Sequence, residues 1–288
     1  MRDKVRAFVH EVAIPAEARD HSERGLDEGL RAELQERAKE WGTFGPQLPE
    51  DLGGLGLDLR GATVILEEVG YSVLGPQALN CAGPDEGNMH MLGLIATAEQ
   101  RRQYLVPLAA GEIRSCFSMT EPAPGAGSDP SMLQTTAERV GGGWSISGRK
   151  WFITGAEGAA VLGAVGEGFA YAQVRLAPAR LTHCMRWLGT ARRALDIAFD
   201  RANEREAFGR KRGELGMIQR FVAESVLDIE SNRALSSAVP GCSTEAVTGA
   251  TGPRSPRPTS PRRWSGSSAA RCGSAAPSAS PATRRRRG

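Results

Sequence analysis

The chain has no run of about eighteen apolar residues, the length a membrane-spanning helix needs. Its opening residues, MRDKVRAFVHEVAIPAEARD, carry charges where a secretory signal needs an apolar stretch. No membrane insertion is expected, and the expected location is cytoplasmic. The five cysteines, Cys81, Cys116, Cys184, Cys242 and Cys272, are odd in number and widely spaced, with no C-x-x-C pair and no histidine cluster beside them, so neither disulfides nor a metal site is expected. Acidic residues are almost absent from one region: residues 239–288 contain nine Arg or Lys and a single acid, Glu245. That segment carries +8 and the preceding 238 residues carry −5. The basic overall balance therefore belongs to the tail and gives no warrant for a nucleic-acid-binding face on the body. Only Trp264 interleaves the tail arginines, where single-strand binding would use repeated aromatic stacking, so no nucleic-acid partner is expected.

With 288 residues, 40% of them apolar, the chain can bury a real core. Val5, Phe8, Val9 and Val12 lie at the i, i+3, i+4, i+7 spacing of one helix face, and Leu26, Leu30, Leu34 and Ala38 repeat the pattern. Gly42 after Trp41 marks a helix end, Gly53, Gly54 and Gly56 mark a loop, and helical spacing resumes over 62–69. Thr97 and Gln100 have the spacing of a capping box for a helix reaching Gly111. Beyond Cys116 the pattern predicts strands, at 135–140 and over the run 144–154, joined by a turn at Gly141, Gly142 and Gly143. Helical spacing returns at Leu181, Met185, Leu188 and Leu195, and again at Ile218, Phe221, Val222, Ser225 and Ile229. From Val239 onward Ser, Pro, Gly, Ala, Thr and Arg dominate, and disorder is expected.

Two segments carry the chemistry: FSMTEPAPGAGSD over 117–129 and GRKWFITGA over 148–156. In order and in spacing they resemble the two flavin-contacting signatures of the acyl-CoA dehydrogenases. The first is two residues longer than the commoner family form. The resemblance implies a mostly α fold with a small β insert: a helical N-terminal domain (1–115), a shortened β middle domain holding the flavin motifs (116–170), a partial C-terminal helical domain (171–238) and the basic tail (239–288). It implies FAD as cofactor and removal of an α-proton and a β-hydride from an acyl-CoA thioester, with a flavoprotein as electron acceptor. By the same resemblance Phe117 and Met119 line the flavin ring, Thr120 hydrogen-bonds its edge, Ser128 approaches the phosphates, Phe152 packs on the ring and Thr154 bonds near N5.

A third block, RANEREAFGRKRGELGMI over 201–218, resembles the family segment that reaches FAD held by a neighbouring subunit. Arg205 and Phe208 take those places, and a homodimer or homotetramer is implied. ARLTHCMRWLG over 179–189 resembles the start of the helix walling the acyl-CoA pocket, with Arg180 in the place of a substrate-site arginine. His183 and Cys184 are adjacent on that helix and cannot face one partner, which argues against a Cys–His nucleophile pair.

The resemblance fails at two places. Only 25 residues separate Thr154 from Arg180, where the family places most of its β domain, and a lone hairpin leaves sheet edges unpaired. No carboxylate takes the place of the family's general base: Ala179, behind Pro178, stands at one of its two usual positions and the tail at the other. No catalytic residue is assigned. The abrupt change to residues favoured by GC-rich codons suggests a reading-frame change, and the expected consequence is an impaired dehydrogenase. The alternative is a non-catalytic flavin- or CoA-binding relic, or an oligomerisation partner of an intact paralogue.

Overall fold

The computed structural model describes every residue except 21–25, 126, 128, 130–131, 157–167 and 250–288, and leaves undescribed the side chains at 168–171, 173, 177 and 239–249. Met1–Val247 forms one compact unit and Thr248–Gly288 a second, of which only residues 248 and 249 are described. The fold is mostly helical. No described helix is long and apolar enough to cross a membrane.

The first helix consists of α1 (Arg2–Phe8), a π-turn (Val9–Ala13) and α2 (Ile14–Glu17). Its stripe of Val5, Phe8, Val9 and Val12 is buried, as the spacing predicts. It packs with Leu30, Leu34 and Ala38 of α3 (Glu28–Glu40) and with Ile65, Leu66 and Val69 of α4 (Leu59–Val69). Asp27 and Asp58 cap α3 and α4 by accepting from the backbone N–H groups of Leu30 and Gly61. Gly42, in the left-handed conformation, follows the end of α3.

Short α5 (Gly75–Ala78) leads to α6 (Asp85–Ile95). The next helix joins α7 (Ala98–Gln100), a π-turn (Arg101–Leu105) and α8 (Val106–Ala110). The capping box of Thr97 and Gln100 is formed. Leu48, Met89, Leu92, Leu105, Leu108 and Ala109 make a second small core there.

The β segment is slighter than the sequence predicts. Strands β1 (Thr136–Val140) and β2 (Gly143–Ser147) pair antiparallel, and all ten residues are exposed. The expected continuation of β2 to Thr154 does not occur. Phe152 turns left-handed at φ 51° and Gly155 at φ 75°, and the peptide N–H of Trp151 leaves the hairpin to donate to the Thr120 carbonyl at 3.3 Å.

The 37-residue α9 (Gly168–Glu204) then crosses α4 and α6. A hairpin of β3 (Glu206–Ala207) and β4 (Arg210–Lys211) joins it to α10 (Gly216–Gly249). Helix α10 continues through residues 239–249, correcting the expectation of disorder from Val239. Extending an existing helix needs no new nucleus, so the composition change does not itself end it. The remaining tail, 250–288, lies outside the described residues.

The α4–α9 crossing depends on two glycines. A Cβ at Gly189 would stand 2.1 Å from the Glu67 carbonyl oxygen, and one at Gly70 would stand 2.0 Å from that of Arg186. Both obstacles are backbone and cannot rotate aside. Gly189→Ala should therefore destabilise the protein by about 2 to 3 kcal/mol through overpacking. Gly93→Ala in α6, where nothing lies within 4 Å, should be neutral or stabilising by about 1 kcal/mol. Urea unfolding of both variants checks this; equal effects would contradict the close-crossing account.

Candidate flavin and acyl thioester site

Where the chain between α4 and α6 meets α9 and the loop after α8 there is a cavity of about 630 Å³, within the range of ligand sites. Phe117, Met119 and Thr120 line it from the first signature and Phe152 and Thr154 from the second. The structure thus gathers five sequence-assigned flavin residues around one space.

Two sets of contacts join the signatures. At one end the Trp151 N–H donates to the Thr120 carbonyl at 3.3 Å, while the Lys150 ammonium donates to the Met119 carbonyl at 3.3 Å and to Glu121 Oε1 at 2.8 Å. At the other, Gly155 passes the Ser115 carbonyl so closely that a Cβ would lie 2.7 Å from it, and its positive φ independently favours glycine. Ser115 is anchored to α6: its backbone N–H and hydroxyl donate to Asp85 Oδ1 at 2.7 and 2.5 Å. Asn88 Nδ2 donates to Ser115 Oγ at 2.8 Å and to the Cys116 carbonyl at 3.2 Å.

Phe152 and Phe208 share an unusual state. Each is left-handed, at φ 51° and 58°, and they are 82% and 91% exposed. Strained backbone combined with exposed aromatic surface is characteristic of a ligand contact rather than of core filling. Phe208 and Gly209 form the two-residue turn between β3 and β4, away from the cavity lining. Arg205 is exposed beside that hairpin, and Arg180 is exposed on α9; neither lines the cavity. Ser128 lies outside the described residues.

Helix α9 supplies lining that the sequence reading missed: Arg175, Leu176, His183, Arg186, Trp187 and Thr190. Arg186 is buried and donates to the Cys81 carbonyl at 2.8 Å and to Glu86 Oε2 at 3.4 Å. Thr182 Oγ1 also donates to Glu86 Oε2, at 2.9 Å. His183 Nε2 accepts from Trp187 Nε1 at 2.7 Å, which places its own proton on Nδ1 in the neutral form. Burial first, and then the Arg186 charge, push His183 below its ordinary value. Cys184 is exposed and does not line the cavity.

None of the cavity's described lining residues is Asp or Glu. The nearest acid in the first signature, Glu121, is already engaged. The backbone N–H of Gln134, the Lys150 ammonium and the Thr135 hydroxyl and N–H hold its carboxyl at about 2. Asp85 is bound to Ser115, and burial raises its value.

Profiles of the acyl-CoA dehydrogenase N-terminal, middle and C-terminal domains match residues 1–112, 116–174 and 166–244. The chain belongs to the acyl-CoA dehydrogenase family. It is 35% identical to a probable acyl-CoA dehydrogenase, FadE2, of Mycobacterium tuberculosis, over 70% of this chain and 65% of that protein. It is 31% identical to acyl-CoA dehydrogenase family member 11 of Gallus gallus, over 81% of this chain and 39% of that one. The chain thus spans less than two thirds of these relatives. Butyryl-CoA dehydrogenase from Megasphaera elsdenii shares the fold, with a TM-score of 0.70 at 22% identity, covering 86% of this chain and 79% of that one.

Proposed function

We propose that the chain binds FAD and an acyl-CoA thioester in the 630 Å³ cavity, as an acyl-CoA dehydrogenase whose α,β-dehydrogenation is impaired. The observation that carries this reading is the convergence of Phe117, Met119, Thr120, Phe152 and Thr154 on one space. The donor set fits the flavin ring: two threonine hydroxyls for its polar edge and exposed Phe152 for its face. When bound, the flavin supplies the hydride acceptor.

The chain's own residues have separable tasks. Thr120 and Thr154 orient the ring edge, while Met119, Leu176 and Trp187 exclude water. Arg205 and Phe208, on the exposed hairpin, suit a cofactor shared between subunits, which supports a homodimer or homotetramer. Ser128 would reach the phosphates, and Arg180 would serve the thioester. A flavoprotein is the electron acceptor and the cytoplasm the location in this reading.

The absence of a carboxylate from the described lining favours a second reading, a flavin- or CoA-binding protein that does not turn over. The dehydrogenase reading and the flavin-binding form of the second both require FAD binding, which should be weak because the exposed hairpin gives the second signature little support. Titration with FAD, followed by quenching of flavin fluorescence, tests this. Saturable, weak binding is expected; preference for a nicotinamide dinucleotide would overturn it.

A further inference from the structure

Arg175 is 8% exposed, lines the cavity and has no carboxylate within ion-pairing distance among the described residues. Its Nε donates to Asn88 Oδ1 at 2.6 Å and its Nη2 to the Pro84 carbonyl at 3.4 Å. Its guanidinium carbon lies 4.4 Å from the centroid of the Phe117 ring. Asn88 is itself fixed by Ser115 and Cys116, so the guanidinium is held in place before any ligand arrives. Both of its assigned hydrogen-bond acceptors are neutral, and Nη1 has none among the described residues. A buried cation in this state calls for a counter-charge.

The other basic groups of the cavity wall are already satisfied: Arg186 by Glu86 and the Cys81 carbonyl, and neutral His183 by Trp187. Burial lowers the Arg175 value against the opposing pull of the more distant Glu86 and Asp85 charges, and a guanidinium remains protonated.

We propose that Arg175 is the anion-recognition group of this cavity, and that its thioester carries a second, free carboxylate: a CoA thioester of a dicarboxylic acid in preference to one of a plain fatty acid. The planar edge of a guanidinium matches one carboxylate. Its confinement beneath Phe117 and Pro84 suits a small terminal group better than the bulky, solvated phosphates of CoA or FAD. This inference rests on the acyl-CoA reading above.

Glutaryl-CoA and pentanoyl-CoA have five-carbon acyl groups that differ only in a terminal carboxylate or methyl. Calorimetric titration of the full chain, with FAD present, should show glutaryl-CoA binding roughly 10- to 100-fold more tightly, the value of a charge-assisted hydrogen bond. Arg175→Gln should abolish that preference while leaving pentanoyl-CoA affinity little changed, and Arg175→Lys should keep part of it. Equal affinity for the two thioesters in the unaltered protein would overturn the proposal, as would a preference that survives Arg175→Gln. Weakening of both ligands equally by Arg175→Gln would also overturn it, and would assign Arg175 to the flavin. If the variants do not fold, the preference of the unaltered protein and its loss at high salt decide the matter. Binding of neither thioester would overturn the acyl-CoA reading itself.

Discussion

Supplied with saturating FAD, the protein should oxidise an acyl-CoA about 10² to 10⁴ times more slowly than an intact relative, the factor associated with loss of a positioned general base. The α-proton needs an acceptor within hydrogen-bonding reach, and the described cavity wall offers none. Glu86 accepts from Thr182 and Arg186, Asp85 from Ser115, and Glu121 is held at about 2 by four donated hydrogen bonds. His183 does not replace them, because its Nε2 lone pair is occupied by Trp187. Steady-state turnover with an artificial electron acceptor measures the deficit. A rate equal to that of an intact relative would show that a carboxylate outside this lining serves as base.

Glu68→Gln should lower unfolding free energy by about 2 kcal/mol, and with it Tm by several degrees. Its carboxylate accepts from Arg2 and Arg6 at 2.8 Å and from Arg192 at 2.7 Å, tying the first helix and α9 to α4. Burial by itself would raise the Glu68 value; the bonds from Arg6, Arg192 and Arg2 outweigh it and hold the group at about 2. A carboxyl lowered by folding stabilises the protein fully above its unfolded value, near 4.5, and that contribution is lost as pH falls towards 2. Linkage would allow roughly 3 kcal/mol, which solvent around the half-exposed Arg2 and Arg6 reduces to about 1 to 2 kcal/mol. In Glu68→Gln this part of the acid sensitivity should vanish. An unchanged pH profile between about 2 and 4.5 would contradict the assignment.

The helical core was legible because its apolar stripes have a period that only one secondary structure satisfies. Val5, Phe8, Val9 and Val12 are buried together, and the Thr97 box caps its helix. The residues assigned to the flavin by resemblance stood out as two motifs, and the structure brings five of them, Phe117, Met119, Thr120, Phe152 and Thr154, to one cavity. The segment 148–154 misled because Trp, Phe, Ile and Thr read as a strand, whereas left-handed Phe152 and the bond from Trp151 to Thr120 take the chain out of the hairpin. Arg175 escaped notice for a different reason. With Thr182 and Arg186 it forms a polar stripe at helical spacing, which ordinarily faces water. Here the stripe is buried because Asn88 and Glu86 of α6 supply its hydrogen-bond partners.

In the proposed reading the two signatures make a flavin site with Phe152 against the ring. Fluorescence titration of FAD against the unaltered chain and against Phe152→Ala tests it most directly. Saturable binding that weakens about tenfold on loss of the aromatic face, the size of one stacking contact, is expected. Absence of saturable binding, or equal affinity in the two proteins, would contradict it.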